Sequence, residues 1–267
     1  MTLHGKVDPT ENPCAVALIA HGYAEHLGRY QRLTEALNRA GITVYRYDHH
    51  GHGKSAGPRA NVDVNDLVRQ HYRARKQIEQ LHPNLPLFLI GHSMGGLITA
   101  ASALGRPNAI AGVVLSAPAL GANTSLKGPL ADAVYELGRL LPKIPAGKLN
   151  PNALSNDPGI VEEYLNDPLN YNGSVPLLTG ASIVALGQRI LEHCPKWTPD
   201  TLILQGQNDT IVSLEATRRF AQDAGTTADV PPTIDYVEVP DAQHEVLNET
   251  EGPILMSLIS QWIKDHL

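Results

Sequence analysis

A chain of 267 residues, 42% hydrophobic and 18% charged, has the makeup of an ordinary globular protein, long enough for one large α/β domain or two small ones. Its formal charge of −6, with Lys and Arg scattered, excludes the gathered basic face that a nucleic-acid groove needs, so no nucleic-acid partner is expected. There is no low-complexity tract or repeat, and no apolar run reaches the roughly 18 residues of a membrane span or forms a signal-peptide core, so the expectation is a cytoplasmic protein that does not span a membrane.

After a short "LHGKV", the run "CAVALIA" (14 to 20) predicts a strand and residues 30 to 40 a helix. "ITVYRY" (42 to 47) predicts the next strand, followed by a helix over 63 to 81, the strand "LPLFLIG" (85 to 91), a helix over 94 to 105 and the strand "AIAGVVLS" (109 to 116). Further on come a helix over 176 to 193, "TLILQG" (201 to 206), a helix over 213 to 223, "TIDYVEV" (233 to 239) and a helix over 249 to 266. The strands are almost continuously apolar, as strands buried on both faces are. Strands alternating with helices imply a parallel sheet covered on both sides. Cys14 and Cys194 are far apart and belong to no CxxC pair, which leaves no disulfide framework and no thiolate metal site.

From Pro118 to Val175 the alternation stops: no strand is predicted, and Pro, Gly and Asn punctuate helical pieces such as "PLADAVYELGRLL" and "PGIVEEYL". Residues 118–175 are therefore expected to be a cap inserted into a core formed by residues 1–117 and 176–267, lying over the carboxyl ends of the strands where sites in open sheets gather. The competing reading is a structural excursion remote from any site. Leu130, Val134, Leu137 and Leu141 fall on one face of a helix there, a stripe that serves either as core packing or as a surface for an acyl chain or lipid.

"DHHGHGKS" (48 to 55) invites three readings. A phosphate loop of the G-x-x-x-x-G-K-S type would need glycine where Asp48 stands and a helix opening at Lys54-Ser55, yet Gly57 and Pro58 follow. A metal site has ligand types in Asp48, His49, His50 and His52, but no paired histidine spacing elsewhere completes it. The third reading, adopted here, is a Gly-rich loop leaving a strand with its histidines bonded to backbone; no metal and no cofactor is expected.

"GHSMGG" (91 to 96) follows a predicted strand and precedes a predicted helix, the context that a G-x-S-x-G nucleophile elbow requires. Ser93 is thus the candidate nucleophile, and the helix starting at Met94 points its positive end at the same spot. In this chain order an acid and then a histidine must follow. Asp209 lies just past "TLILQG" and His244 just past "TIDYVEVP", and the only other histidine beyond Asp209 is His266, one residue from the last. The plainer alternatives are a helix-capping Asp209 and a surface-loop His244. An oxyanion hole would take backbone N–H groups from Met94 and from Tyr23, after the strand end "ALIAHG".

With these pieces in order the chain resembles the monoacylglycerol lipase and lysophospholipase branch of the α/β-hydrolase superfamily, related to the serine aminopeptidase group. The likeness runs through "HGYAEHLGRY", "DHHGHGKSAGPR", "GHSMGG", "SAPAL", "LSNDPGIVEEYLNDPL", "LILQGQNDTIV" and "AQHEVLNE". It implies an α/β-hydrolase fold with a helical cap, a triad of Ser93, Asp209 and His244, oxyanion donors at Tyr23 and Met94, and a scaffolding role for Asp48 to Ser55. It further implies hydrolysis of a lipid-like ester, monoacylglycerol foremost, without a cofactor, and transient contact of the cap with a membrane surface. Tyr23-Ala24 departs from the family's small or aliphatic residue followed by Gly, which implies a narrower acyl pocket. Other functions stay open: a lysophospholipase or broad carboxylesterase, a proline-type aminopeptidase with Glu162 and Glu163 holding a substrate ammonium, and a non-catalytic hydrolase-fold binding protein.

Overall fold

The computed structural model describes residues 3–121, 126 and 128–267. Its centre is a seven-stranded sheet. β1 (Gly5–Asp8) is antiparallel to β3 (Ile42–Tyr47), and parallel pairing then runs from β3 through β2 (Ala15–Ala20), β4 (Leu87–His92), β5 (Gly112–Ser116) and β8 (Thr201–Gly206) to β9 (Ile234–Val239). The helices are α1 (Gln31–Arg39), α2 (Val64–Leu81), α3 (Met94–Gly105), α6 (Leu177–His193), α7 (Leu214–Asp223) and α8 (Gly252–Asp265). All six predicted sheet strands and all six predicted helices of the alternating pattern are present. In this sheet the strand beyond them is β1, which overlaps "LHGKV" and runs on to Asp8, so the sheet opens with a single antiparallel strand.

The strands lack polar alternation because both faces are covered. Their side chains still divide with the strand period of two. Val16, Leu18, Leu89, Val113 and Leu115 join the core that includes α2, α3 and α6, while Ala17, Ile19, Phe88, Ile90 and Val114 join the core under α1 and α8. Two of these helices start at capping side chains: Asp63 accepts from the N–H of Asn65 at α2 and Ser213 from that of Ala216 at α7. The last helix begins at Gly252, later than the apolar pattern suggests, because Val246–Asn248 forms a separate 3-10 turn.

Between β5 and α6 lie α4 (Pro129–Leu140), β6 (Pro145–Lys148), α5 (Pro158–Asn166) and β7 (Ser174–Pro176). The sequence predicts no strand in this stretch, yet β6 and β7 pair antiparallel. Strands of four and three residues, mostly exposed and containing Pro and Gly, carry no hydropathy period that a sequence could reveal. Of the apolar stripe, Leu130, Leu137 and Leu141 are exposed at 57, 46 and 47%, while Val134 is half-buried and borders a cavity, so the three leucines are not core packing. Among the described residues no helix is long and apolar enough to cross a membrane.

Candidate active site

The parallel sheet delivers the carboxyl ends of β2, β3, β4, β8 and β9 to one edge, and the predicted residues meet there. Ser93 stands between β4 and α3 with φ 52° and ψ −119°, a left-handed backbone that an L-residue adopts only under strain. The turn closes because Gly95 lets α3 press on β2: a Cβ there would lie 2.1 Å from the carbonyl oxygen of Ala20. At Gly91 a Cβ would lie 2.4 Å from the carbonyl oxygen of Gly95. The bend holds Ser93 Oγ 2.8 Å from Nε2 of His244, whose Nδ1 lies 2.7 Å from Oδ2 of Asp209.

Asp209 is buried, and the hydrogen bonds of its carboxylate are all with donors. Oδ2 also accepts from Gln205 Nε2 at 2.9 Å, and Oδ1 accepts from the N–H groups of Ile211 and Val212 at 2.8 and 3.0 Å. Burial pushes its pKa up, but the bonds from His244 and the two backbone N–H groups prevail and hold it below the ordinary carboxylate value. Since a carboxylate only accepts, His244 Nδ1 carries the hydrogen. Its Nε2 lone pair is therefore directed at the Ser93 hydroxyl.

Tyr23 and Met94 both border the cleft, and no hydrogen bond from either backbone N–H is found among the described residues. Residue 24, where the resemblance leads one to expect Gly, is a buried Ala at φ 65°. Its carbonyl accepts from Tyr171 N–H at 2.8 Å. Ser93 opens into a cavity of about 320 Å³, lined by Leu126, Val134, Leu149, Leu154 and Val175 from the inserted segment and by Ile183 of α6.

The hydrogen bonds of the loop after β3 go to the scaffold, while His49 Nδ1, His50 Nδ1 and His52 Nε2 are buried without a partner among the described residues. Asp48 accepts from Leu27 N–H and Lys54 N–H, each at 2.8 Å, and Ser55 donates to its carbonyl at 2.7 Å. His49 and His52 are buried beside His21, with ring centroids 4.2 and 5.5 Å from it. Glu162 and Glu163, considered above as ammonium ligands, are exposed on α5 and do not border the cavity.

The acids that do border it, Glu25 and Glu245, were not singled out from the sequence. Arg29 ties both together, Nε to Glu25 at 3.1 Å and Nη2 to Glu245 at 2.5 Å. Burial and the nearby Glu245 raise the Glu25 pKa against the pull of Arg29. The i,i+4 spacing of Glu25 and Arg29 was the available signal; Glu245 is 216 residues from Arg29. Gln205 and His92 were missed as well. His92 is buried with its ring centroid 4.8 Å from that of His244, and burial holds its pKa well below the usual histidine value.

A mostly parallel sheet covered on both sides, with a serine elbow facing a histidine and an aspartate at its carboxyl edge, defines an α/β-hydrolase. Residues 11–251 match the family described as serine aminopeptidase, S33. The chain is 33% identical over 261 residues to the monoacylglycerol lipase of Mycolicibacterium smegmatis, an alignment covering 97% of this chain and 91% of that protein. Against human monoglyceride lipase the identity is 36% over 208 residues, 76% of this chain and 68% of that one. The crystal structure of Paleococcus ferrophilus monoacylglycerol lipase superposes with a TM-score of 0.86 at 31% identity, covering all of both chains. The chain belongs to the serine aminopeptidase S33 family and is a hydrolase.

Proposed function

We propose that this enzyme cleaves carboxylic esters bearing a single acyl chain, monoacylglycerols before others, into fatty acid and alcohol. The observation that carries the reading is the 2.8 Å contact of Ser93 Oγ with His244 Nε2 at the mouth of an apolar cavity of about 320 Å³. His244 Nε2 takes the proton of Ser93 as Oγ bonds to the ester carbonyl carbon, and the oxyanion accepts from Tyr23 and Met94 N–H. Each such donor contributes about 3 to 4 kcal/mol in the transition state. Collapse breaks the bond to the alcohol oxygen, which receives the proton from His244. Water then gives a proton to His244 as it attacks the acyl-enzyme, the bond to Ser93 Oγ breaks to release the acid, and His244 returns the proton to Oγ. Asp209 keeps the imidazole in its Nδ1–H form throughout.

Residues 118–175 act in this reading as a cap. Val134, Leu149, Leu154 and Val175 wall the acyl chain, and the exposed Leu130, Leu137, Leu140 and Leu141 meet the lipid surface from which substrate is drawn. A peptidase reading gains nothing from the cleft, because Arg29 already ties its two carboxylates. Hydrolysis of monoacylglycerols, lysophospholipids, short nitrophenyl esters and aminoacyl anilides, with Ser93→Ala as control, tests the proposal. Monoacylglycerols should rank first. Anilides in first place, or activity that survives Ser93→Ala, would refute it.

A further inference from the structure

His21 and His49 take no part in proton transfer, yet their hydrogen bonds lead to one peptide of the proposed oxyanion site. His21 directly follows β2 and is 1% exposed. Its Nδ1 lies 2.8 Å from the carbonyl oxygen of Gly22, and its Nε2 lies 2.9 Å from the backbone nitrogen of His49. A carbonyl oxygen only accepts and a backbone N–H only donates, so His21 is neutral with its hydrogen on Nδ1. In return His49 Nε2 lies 3.0 Å from the carbonyl oxygen of His21, which fixes the hydrogen of His49 on Nε2. Burial pushes both imidazoles down, His21 well below the usual value and His49 to about 3, so the pair stays neutral.

The Gly22 carbonyl and the Tyr23 N–H belong to one planar trans peptide and point in opposite directions. Whatever holds the carbonyl therefore aims the N–H. Glycine on one side of that peptide leaves it free to rotate, so an external hold is needed. The neighbouring groups are also held: Gly22 N–H donates to Glu25 Oε1 at 2.5 Å and the Ala24 carbonyl accepts from Tyr171 N–H at 2.8 Å. We propose that His21 is a positioning residue whose Nδ1–H pins the Gly22–Tyr23 peptide so that Tyr23 N–H faces the oxyanion, with the backbone N–H of His49 dictating the tautomer that does so. The inference rests on the reading of Tyr23 N–H as an oxyanion donor.

Removing an oxyanion donor lowers kcat by about 10² to 10³-fold, so loss of its pin should cost about 30 to 300-fold. The test compares His21→Leu with His21→Asn, whose amide Nδ2–H stands where Nδ1–H was. The substrate is a short nitrophenyl ester, which does not depend on the acylglycerol reading. His21→Leu is expected to lower kcat about 100-fold with KM within about threefold, and His21→Asn to recover most of the loss. Binding of a trifluoromethyl ketone separates positioning from packing. Ser93 Oγ adds to its carbonyl carbon while the hydroxyl proton moves to His244, leaving an oxyanion in the hole. Its affinity should fall in step with kcat, whereas that of the corresponding alcohol, which forms no adduct, should not.

A folded His21→Leu enzyme with kcat within threefold of the parent overturns the proposal. So does an Asn variant no better than Leu. Should His21→Leu fail to fold, nitrogen NMR of the unaltered protein decides: a neutral Nδ1–H form of His21 from pH 5 to 8 supports the proposal, and an Nε2–H form or titration in that range overturns it. If Ser93→Ala keeps both hydrolysis and ketone binding, the triad reading fails instead, a result distinct from either His21 outcome.

Discussion

Replacing Asp209 with Asn removes one charge and leaves the shape of the side chain intact, and the hydrogen bonds around it determine the outcome. In the parent all four neighbours, His244 Nδ1, Gln205 Nε2 and the N–H groups of Ile211 and Val212, donate to the carboxylate. An amide has one oxygen and one NH2, so one side must meet donors with a donor. Turned toward Ile211 and Val212, the NH2 faces two fixed N–H groups. Turned toward His244, it forces the imidazole hydrogen onto Nε2, which then points at Ser93 and can no longer take its proton. The second arrangement is the cheaper, because Gln205 and His244 can reorganise and backbone cannot. The wrong tautomer in such a triad lowers kcat by about 10⁴-fold, equivalent to about 5 kcal/mol of transition-state stabilisation.

Stability should fall by about 3 kcal/mol, since hydrogen bonds to a charged group contribute roughly 1.5 to 3 kcal/mol each and most are weakened rather than lost. The assay is steady-state hydrolysis of a nitrophenyl ester by folded Asp209→Asn protein, with thermal unfolding measured alongside. A folded variant with kcat within tenfold of the parent would refute the view that Asp209 sets the His244 tautomer.

Ala24→Gly should stabilise the protein by about 0.5 to 1 kcal/mol, because left-handed backbone costs an L-residue about 1 to 2 kcal/mol and the freer unfolded glycine returns part of it. Tm should rise by about 1 to 3 °C, and a fall would contradict the strain argument. Acid should destabilise the fold through its buried imidazoles. Burial holds His49 at about 3 and His52 at about 4, against about 6.5 in the unfolded chain, so their contribution is complete above pH 6.5 and is lost as pH falls toward those values. At pH 5 each should have lost about 2 kcal/mol, and a urea midpoint unchanged between pH 7.5 and 5 would refute this. Leu137→Asp, on the exposed stripe of α4, should change stability by less than about 0.5 kcal/mol while lowering turnover of long-chain monoesters several-fold more than that of short esters. Equal effects on both would remove the lipid-surface role.

What the sequence alone determined are the features whose causes are local. Continuous apolar runs gave away β2, β4, β5 and β8, because strands buried on both faces need no polar position. "GHSMGG" placed Ser93 on an elbow, since only glycines at 91 and 95 tolerate the approach of Gly95 and Ala20 backbone. The order of strand ends put Asp209 and His244 within reach of that serine. What only the tertiary structure decided depends on partners far away in the chain. The Arg29 bridge to Glu245 spans 216 residues, and no spacing rule reveals a buried charge network of that reach. The α4 stripe had a helical period that fits core and surface alike, and its exposure followed from what α6 leaves uncovered. "DHHGHGKS" held ligand chemistry in plain view and reads from sequence as a loop whose histidines bond to backbone, but which backbone they meet was decided only when β2 and β3 paired. That pairing brought His49 to His21, 28 positions apart, and turned both imidazoles toward backbone.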